Sequence, residues 1–524
     1  MEQIKIGSVK GKKIINPELH SHFIEFLGNC IKEGIWVGEE SSIPNYDGMR
    51  KDVVDALKRI EPPLIRWPGG CYADTYHWRD GIGSREKRKT TFNENFGTYE
   101  IENNQFGTHE FMQLCKIVGA KPWLNINMLS GTVQEAVEWT EYCNRKEETT
   151  LSLERSNNGS VEPFNVEYWG IGNECWAGGG NYTAQGYANE YRKFTSAIPS
   201  FKPINFNSNI NSEGINMNMI ACGPDGNKPK ERVRWTKDFF DALREYRMPK
   251  LSAFDLHFYN WNFKNTTETE LDFDKDDWYR VIHGCMELEG VIKEQNDLIQ
   301  EGLSNLPIPE GDFPYEQPKC DLIVGEWGNW HAQAFTARPA LYQQCSMRDA
   351  LTTAITLDIF HRNCDIVKIA CVAQSVNVLN SLILTEGEKM VLTPNYYVFE
   401  MYKVHRNAQV LDISIESSVA YNNDEIEIYN IYSFASVKDG VISINIINAS
   451  IDEEREVDIV FEDELEFLSG KILNGSSSNS YNSISNPDEV KIEKAKEPEL
   501  IENKVWRIKI PKASVSVYQF YIIK

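Results

Sequence analysis

From about residue 18 to residue 395, short apolar runs alternate with longer stretches whose apolar side chains recur at helical spacing. The runs predict strands at 23–28, within 64–70 (the second strand and its exit loop), and at 122–127, 165–174, 203–211, 254–259, 321–326 and 367–374. Helices are predicted between them, at 47–60, 109–118, 133–144, 187–194, 278–300 and 342–360. In the first, Val53, Val54, Leu57 and Ile60 share one face, and Pro62-Pro63 ends the helix. Residues 145–162 read as a polar surface loop. Strand-then-helix units in series predict an α/β fold, a parallel (β/α)8 TIM barrel.

Two of these strands close on a carboxylate. Asn165-Val-Glu-Tyr-Trp-Gly-Ile-Gly-Asn-Glu174 ends on Glu174, and Leu322-Ile-Val-Gly-Glu326 on Glu326 before Trp327-Gly-Asn-Trp330. The C-terminal ends of barrel strands are where barrel enzymes place catalytic groups. After about Tyr402 the period changes to two: Val441-Ile-Ser-Ile-Asn-Ile-Ile follows an Asp439-Gly440 turn, and 505–510 and 515–521 alternate as well. That pattern predicts an antiparallel, jelly-roll-like β-sandwich. The predicted division is a barrel at 18–395 and an accessory sandwich from 1–17 and 396–524, with the N-terminal strand joining the sandwich.

Composition narrows the partners. A formal net charge of -23 argues against nucleic acid and anionic membrane, which carry the same sign, and fits a neutral substrate. Eleven cysteines without CxxC spacing read as reduced thiols rather than a disulfide framework. No apolar leader opens the chain, so the expected location is cytoplasmic.

Two carboxylates facing each other across a barrel mouth suit glycoside hydrolysis, with one acid for the leaving oxygen and one carboxylate for the anomeric carbon. Glu25, Arg66, Asn127, Asn173, His257, Tyr259 and Gln374 are further strand-end polar groups that can ring a small polyol. Trp327 and Trp330 can wall the pocket. Bland alternatives stand beside each: Arg66 as a counter-ion for a buried Glu, His257 as a satisfied core histidine, Gln374 as a surface amide. His20-Ser-His22 lacks a partner cluster for zinc, and there is no GxSxG elbow or P-loop. A metal-dependent isomerase using the strand-end acids, and a catalytically dead sugar-binding protein, are the competing classes.

Arg66-Trp-Pro-Gly-Gly-Cys71, Asp80-Gly-Ile-Gly, Ile101-Glu-Asn-Asn-Gln-Phe-Gly-Thr-His-Glu110, Gly172-Asn-Glu174 and Val324-Gly-Glu-Trp327 together resemble glycoside hydrolase family 51, the α-L-arabinofuranosidases. The likeness extends to 30–38 and 373–379. It implies a retaining, exo-acting enzyme on arabinan, arabinoxylan or their oligosaccharides, without cofactor or metal, often a homo-hexamer. By motif, Glu174 would be the acid/base and Glu326 the nucleophile. Glu25, Arg66, Cys71, Asn173, Tyr259 and Gln374 would hold the furanose, with Trp330 near the aglycone. Phe96 stands where the family often has a Trp on the leaving side, and Trp176-Ala177-Gly178 where it often has Trp-Gly-Cys. The alternative on the same barrel is a β-xylosidase or β-glycanase.

Overall fold

The computed structural model describes residues 2–7, 13–202, 214–245, 249–263, 269–308 and 318–523. Eight strands form a closed barrel: Ser21–Phe23, Leu64–Trp67, Lys121–Ile126, Tyr168–Ile171, Asn218–Asp225, Ala253–Asn262, Asp321–His331 and Val367–Val372, in chain order around the ring. The strand pairs whose register is described are parallel. The second strand is buried throughout, and the third and fourth are buried from Trp123 and Trp169 onward, as expected of strands covered on both faces.

Several boundaries differ from the sequence expectation. The first strand ends at Phe23, so Glu25 lies in the exit loop rather than inside the strand. The fifth strand is Asn218–Asp225; the expected strand at 203–211 falls outside the described residues. The sixth and seventh strands run on to Asn262 and His331. Within the expected loop at 145–162, Thr150–Asn157 is an α-helix. Its Thr149 hydroxyl accepts the N–H of Ser152, an N-cap that sets the helix start without an amphipathic stripe. Helices Val133–Asn144 and Met347–Arg362 open on capping boxes, Thr132 with Glu135 and Ser346 with Asp349.

The chain forms two compact units. One contains Ser21–Phe258 and Val291–Glu326; the other contains Met1–His20, Tyr259–Gly290 and Trp327–Lys524. The second unit holds the sandwich. One sheet has the order Ile413–Glu416, Glu2–Ile6, Arg455–Phe461, Val505–Ile510, Glu499–Glu502. The other runs Gln409–Val410, Ile431–Lys438, Val441–Asn448, Ser514–Ile522, Leu465–Asn474, Lys491–Lys494. Ile4, Ile6, Ile444, Ile446, Ile459, Ile508 and Phe520 meet in its core. The N-terminal strand joins this sheet, antiparallel to Ile413–Glu416 and parallel to Arg455–Phe461.

Ile4 is wholly buried and faces Ile415 and Ile459 across its two neighbours. Ile4→Ala should therefore cost about 2–5 kcal/mol, the usual range for truncating a buried Ile. The loss should appear in chemical denaturation followed at Trp506, which belongs to the same sandwich. An unchanged midpoint would show that this strand adds nothing to the sandwich.

Candidate active site

Arg66 on the second barrel strand is fully buried. Its Nη1 donates to Glu326 Oε1 at 2.8 Å and to the Gly325 carbonyl at 3.1 Å, and its Nη2 donates to Asn173 Oδ1 at 2.5 Å. The guanidinium lies between the rings of Phe23, 4.7 Å away, and Trp123, 5.2 Å away. It thus acts as counter-ion to Glu326 and ties its own strand to the fourth and the seventh.

Glu174 follows the fourth strand with φ 38°, in the left-handed region where a side chain is strained. Glu326 lies on the seventh. One oxygen of each, with a ring nitrogen of His257, all lie within 4.8 Å of one another. His257 Nδ1 is 3.0 Å from Glu174 Oε1 and 3.6 Å from Glu326 Oε1. Burial, and then the Glu326 charge, raise the Glu174 carboxyl above its ordinary pKa, while the His257 hydrogen bond opposes them. Cys71, half-buried, donates its Sγ–H to Glu174 Oε2 at 3.8 Å. Burial and the surrounding carboxylates, Glu174 first, hold that thiol far above its usual pKa, so it is a weak donor rather than a nucleophile.

Glu25 Oε1 accepts from the Tyr72 N–H at 2.7 Å and from Asn95 Nδ2 at 3.1 Å. A Cβ at Gly70 would stand 3.1 Å from Glu326 Oε1 and 3.2 Å from Glu25 Oε1. The glycine lets the exit loop pass against both carboxylates. Asn173 spends its Oδ1 on Arg66, and its buried Nδ2 has no partner among the described residues. Phe96 sits at φ 45° and is 47% exposed, in the short turn Asn95–Gly97 of a hairpin over this loop. Beside Cys71 a cavity of about 340 Å³ is lined by Thr75, His77, Asn93, Glu94 and Asn95, among others.

Tyr259, Trp330 and Gln374 belong to the other unit. Tyr259 and Trp330 pack edge to face at 5.0 Å, and Trp330 also meets Phe335 at 5.2 Å. Gln374 is buried, its N–H on the Val378 carbonyl. Asn127 is not part of the cluster: its Oδ1 accepts the N–H groups of Leu129, Ser130 and Gly131, and so builds a turn.

Three site residues escaped the sequence reading. Asp255 accepts from His257 Nε2 at 3.2 Å and from the Gly325 N–H at 2.7 Å; its signal was the two-residue step before His257 on one strand face. Asn95 ties the hairpin to Glu25. Asp74 is buried with neither carboxyl oxygen partnered among the described residues, and burial raises its pKa far above the usual range. Nothing in its local pattern marked it. Glu174, His257 and Glu326 could offer donors to a cation. However, Arg66 already pairs with Glu326, and both ring nitrogens of His257 face carboxylates, an arrangement suited to holding a proton.

Against this geometry stand the comparisons with known proteins. Two family models match: an α-L-arabinofuranosidase 1 domain over residues 56–278 and an α-L-arabinofuranosidase C-terminal domain over 325–514. The chain is 37% identical over 518 residues to an intracellular exo-α-L-arabinofuranosidase of Bacteroides ovatus, covering 98% of this chain and 94% of that protein. Among solved structures it is similar to the family GH51 arabinofuranosidase of Xanthomonas axonopodis pv. citri, with TM-score 0.87, 30% identity and 99% of each chain covered. An α-L-arabinofuranosidase of Thermotoga maritima, solved with arabinose, matches with TM-score 0.80 at 27% identity over 100% of each chain.

Burial, and then the Glu326 charge, push the Glu25 carboxyl from 4.5 up to about 7. Between those values the folded protein holds a proton that the unfolded chain has released, so this group makes stability fall as pH rises from 4.5 to 7, with no further effect above. Glu25→Gln should gain on the parent across that window, measured as denaturation midpoints at several pH values. A difference constant with pH would mean that Glu25 does not titrate there.

Proposed function

Because the chain belongs to glycoside hydrolase family 51, the α-L-arabinofuranosidases, we propose that Glu174 and Glu326 perform its reaction as acid/base and nucleophile. The protein is an exo-acting α-L-arabinofuranosidase whose substrate is an arabinose-containing glycan. The observation that carries the stereochemical reading is the proximity of the two carboxylates, with oxygens within 4.8 Å. Double displacement with retention uses carboxyls about 5–5.5 Å apart; inversion needs about 6.5–9.5 Å to admit water between them.

In the first step the Glu326 carboxylate attacks the anomeric carbon, and the bond to the leaving oxygen breaks. Glu174 gives its proton to that oxygen as the electron pair arrives. In the second step Glu174 takes a proton from water, which attacks the same carbon and frees Glu326. Glu25, Arg66, Cys71 and Asn173 bind the furanose, and the unpaired Nδ2 of Asn173 is a donor left over for a sugar hydroxyl. Tyr259, His257, Gln374 and Trp330 complete the proposed substrate-binding set, with Phe96 on the leaving side. Arabinan, arabinoxylan and their oligosaccharides are the proposed natural substrates. A cytoplasmic location is supported by eleven free cysteines and by the intracellular Bacteroides relative. No helix among the described residues is long and apolar enough to cross a membrane. A homo-hexamer is proposed as the assembly by family likeness.

The two glutamates should fail differently. Glu174→Ala should still form the glycosyl-enzyme from aryl arabinofuranosides with good leaving groups, and azide should then yield a product of retained configuration. Glu326→Ala should be nearly inactive on every substrate, and azide should yield the inverted product. Exchanged outcomes, read by NMR of the anomeric proton, would reverse the roles. Release of xylose or glucose in place of arabinose by the parent would move the substrate, and loss of activity to a chelator would contradict a metal-free reaction. For location, thiol titration of the denatured, unreduced protein should find all eleven cysteines; a marked deficit would argue for an oxidising compartment.

A further inference from the structure

His257 stands between three carboxylates, and each of its ring nitrogens is committed. Nδ1 is 3.0 Å from Glu174 Oε1 and 3.6 Å from Glu326 Oε1; Nε2 is 3.2 Å from Asp255 Oδ2. The other oxygen of Asp255 accepts the Gly325 N–H at 2.7 Å. That contact fixes the carboxylate against the seventh strand, one residue before Glu326. Gly325 is required there: a Cβ would lie 2.2 Å from Asp255 Oδ1. The Gly325 carbonyl in turn accepts from Arg66. Asp255 is thus held from one side by backbone and presents its second oxygen to His257 alone among the described hydrogen bonds.

With Oδ1 of Asp255 accepting the Gly325 N–H and Oδ2 facing the ring as an acceptor, its partner Nε2 carries the hydrogen. The remaining proton of the His257–Glu174 pair then lies on the line between Nδ1 and Oε1. We propose that Asp255 is a positioning residue for proton transfer: by fixing Nε2–H of His257, it holds Nδ1 against Glu174 and keeps one proton shared between the ring and the acid. The proposal rests on the reading of Glu174 as the acid/base. In the first step that shared proton leaves through Glu174 to the departing oxygen, while Glu326 forms the new bond to carbon. In the second step a proton from water returns to the pair as the ester to Glu326 is cleaved.

The charges around the ring agree. Burial disfavours the imidazolium, but Glu326, Asp255 and the hydrogen bond to Glu174 outweigh it and raise the ring well above its ordinary pKa. The groups that face the pair are Asp255 from its own strand, Glu174 and Asp225 from the fourth and fifth strands, Glu326 from the seventh, and Cys71 from the second-strand loop. Arg66 acts on it through Glu326.

Asp255→Asn keeps an acceptor for Gly325 but turns an amide N–H toward Nε2. The neutral ring must then carry its hydrogen on Nδ1, and a negative charge is lost. Both changes favour the Glu174 carboxylate over its acid form. For arabino-oligosaccharides, whose leaving groups need the proton, kcat/KM at neutral pH should fall about 10²-fold, at the lower end of what positioned proton transfer contributes. The basic limb of the pH profile should move to lower pH. For dinitrophenyl arabinofuranoside, whose leaving group needs no proton, kcat/KM should stay close to the parent's. Asp255→Ser, which removes the carboxylate without adding an amide, should move the basic limb in the same direction. In a His257→Gln background, Asp255→Asn should have no further effect. Equal losses on both substrates with an unmoved basic limb would overturn the proposal and leave Asp255 as a brace for Gly325. So would a separate effect in the His257→Gln background. The split is calibrated by Glu174→Ala on the same two substrates. If that variant shows it and the Asp255 variants do not, this proposal alone falls; if Glu174→Ala loses both alike, the acid/base assignment falls and takes the proposal with it.

Discussion

A guanidinium buried inside a barrel is stable only when its charge and its donors are met, and Arg66 is met by groups on or beside two other strands at once. Its contacts to Glu326, the Gly325 carbonyl and Asn173 draw the fourth and seventh strands toward the second. The rings of Phe23 and Trp123 pack against it. With Arg66 fixed, Glu326 is fixed, and Glu174 is the residue after Asn173. The spacing of the two carboxylates is therefore set by one cation. The Arg66 side chain is planar with several donors in a rigid fork, which a lysine could not reproduce.

Around that cation the protein gathers more acid than base. Glu25, Asp74, Glu174, Asp255 and Glu326 crowd a region whose positive groups are Arg66 and His257. Burial adds to the repulsion, so several of these carboxyls are driven toward their neutral forms. The result is a division of labour among like groups. Arg66 sits on Glu326, while burial and the Glu326 charge favour hydrogen on Glu25 and Glu174. A neutral sugar entering such a site meets donors as well as acceptors, although nearly every ionisable group in it is nominally an acid.

Much of this was legible along the chain. Gly-Asn-Glu174 and Gly-Glu326-Trp stand out because small residues beside a strand-end acid signal close backbone approach, and the switch to a period of two after Tyr402 marks the sandwich. Other parts were not legible, for physical reasons. Asn218–Asp225 ends in Cys-Gly-Pro-Asp, which locally resembles a turn, and only pairing with its neighbours makes it a barrel strand. Thr150–Asn157 is a helix made by its cap rather than by an apolar stripe. Asp255 lies in an apolar run, Ala253 to Phe258, where its role depends on Gly325 and His257 being brought beside it. Asn127 had the right strand-end position but the wrong partners.

The first strand of the sandwich has a kinetic consequence. Lys5 reaches Glu416 across 411 residues of chain. At about 5–20 residues per second, roughly 20–80 s of synthesis separate the emergence of Glu2–Ile6 from that of its nearer neighbour. During that time the strand has no sheet to enter, and afterwards Arg455–Phe461 has an open edge until the strand arrives. The sheet thus joins segments 411 residues apart along the polypeptide. This is a topology of high contact order, in which a nascent or truncated chain exposes sticky edges that the finished one conceals.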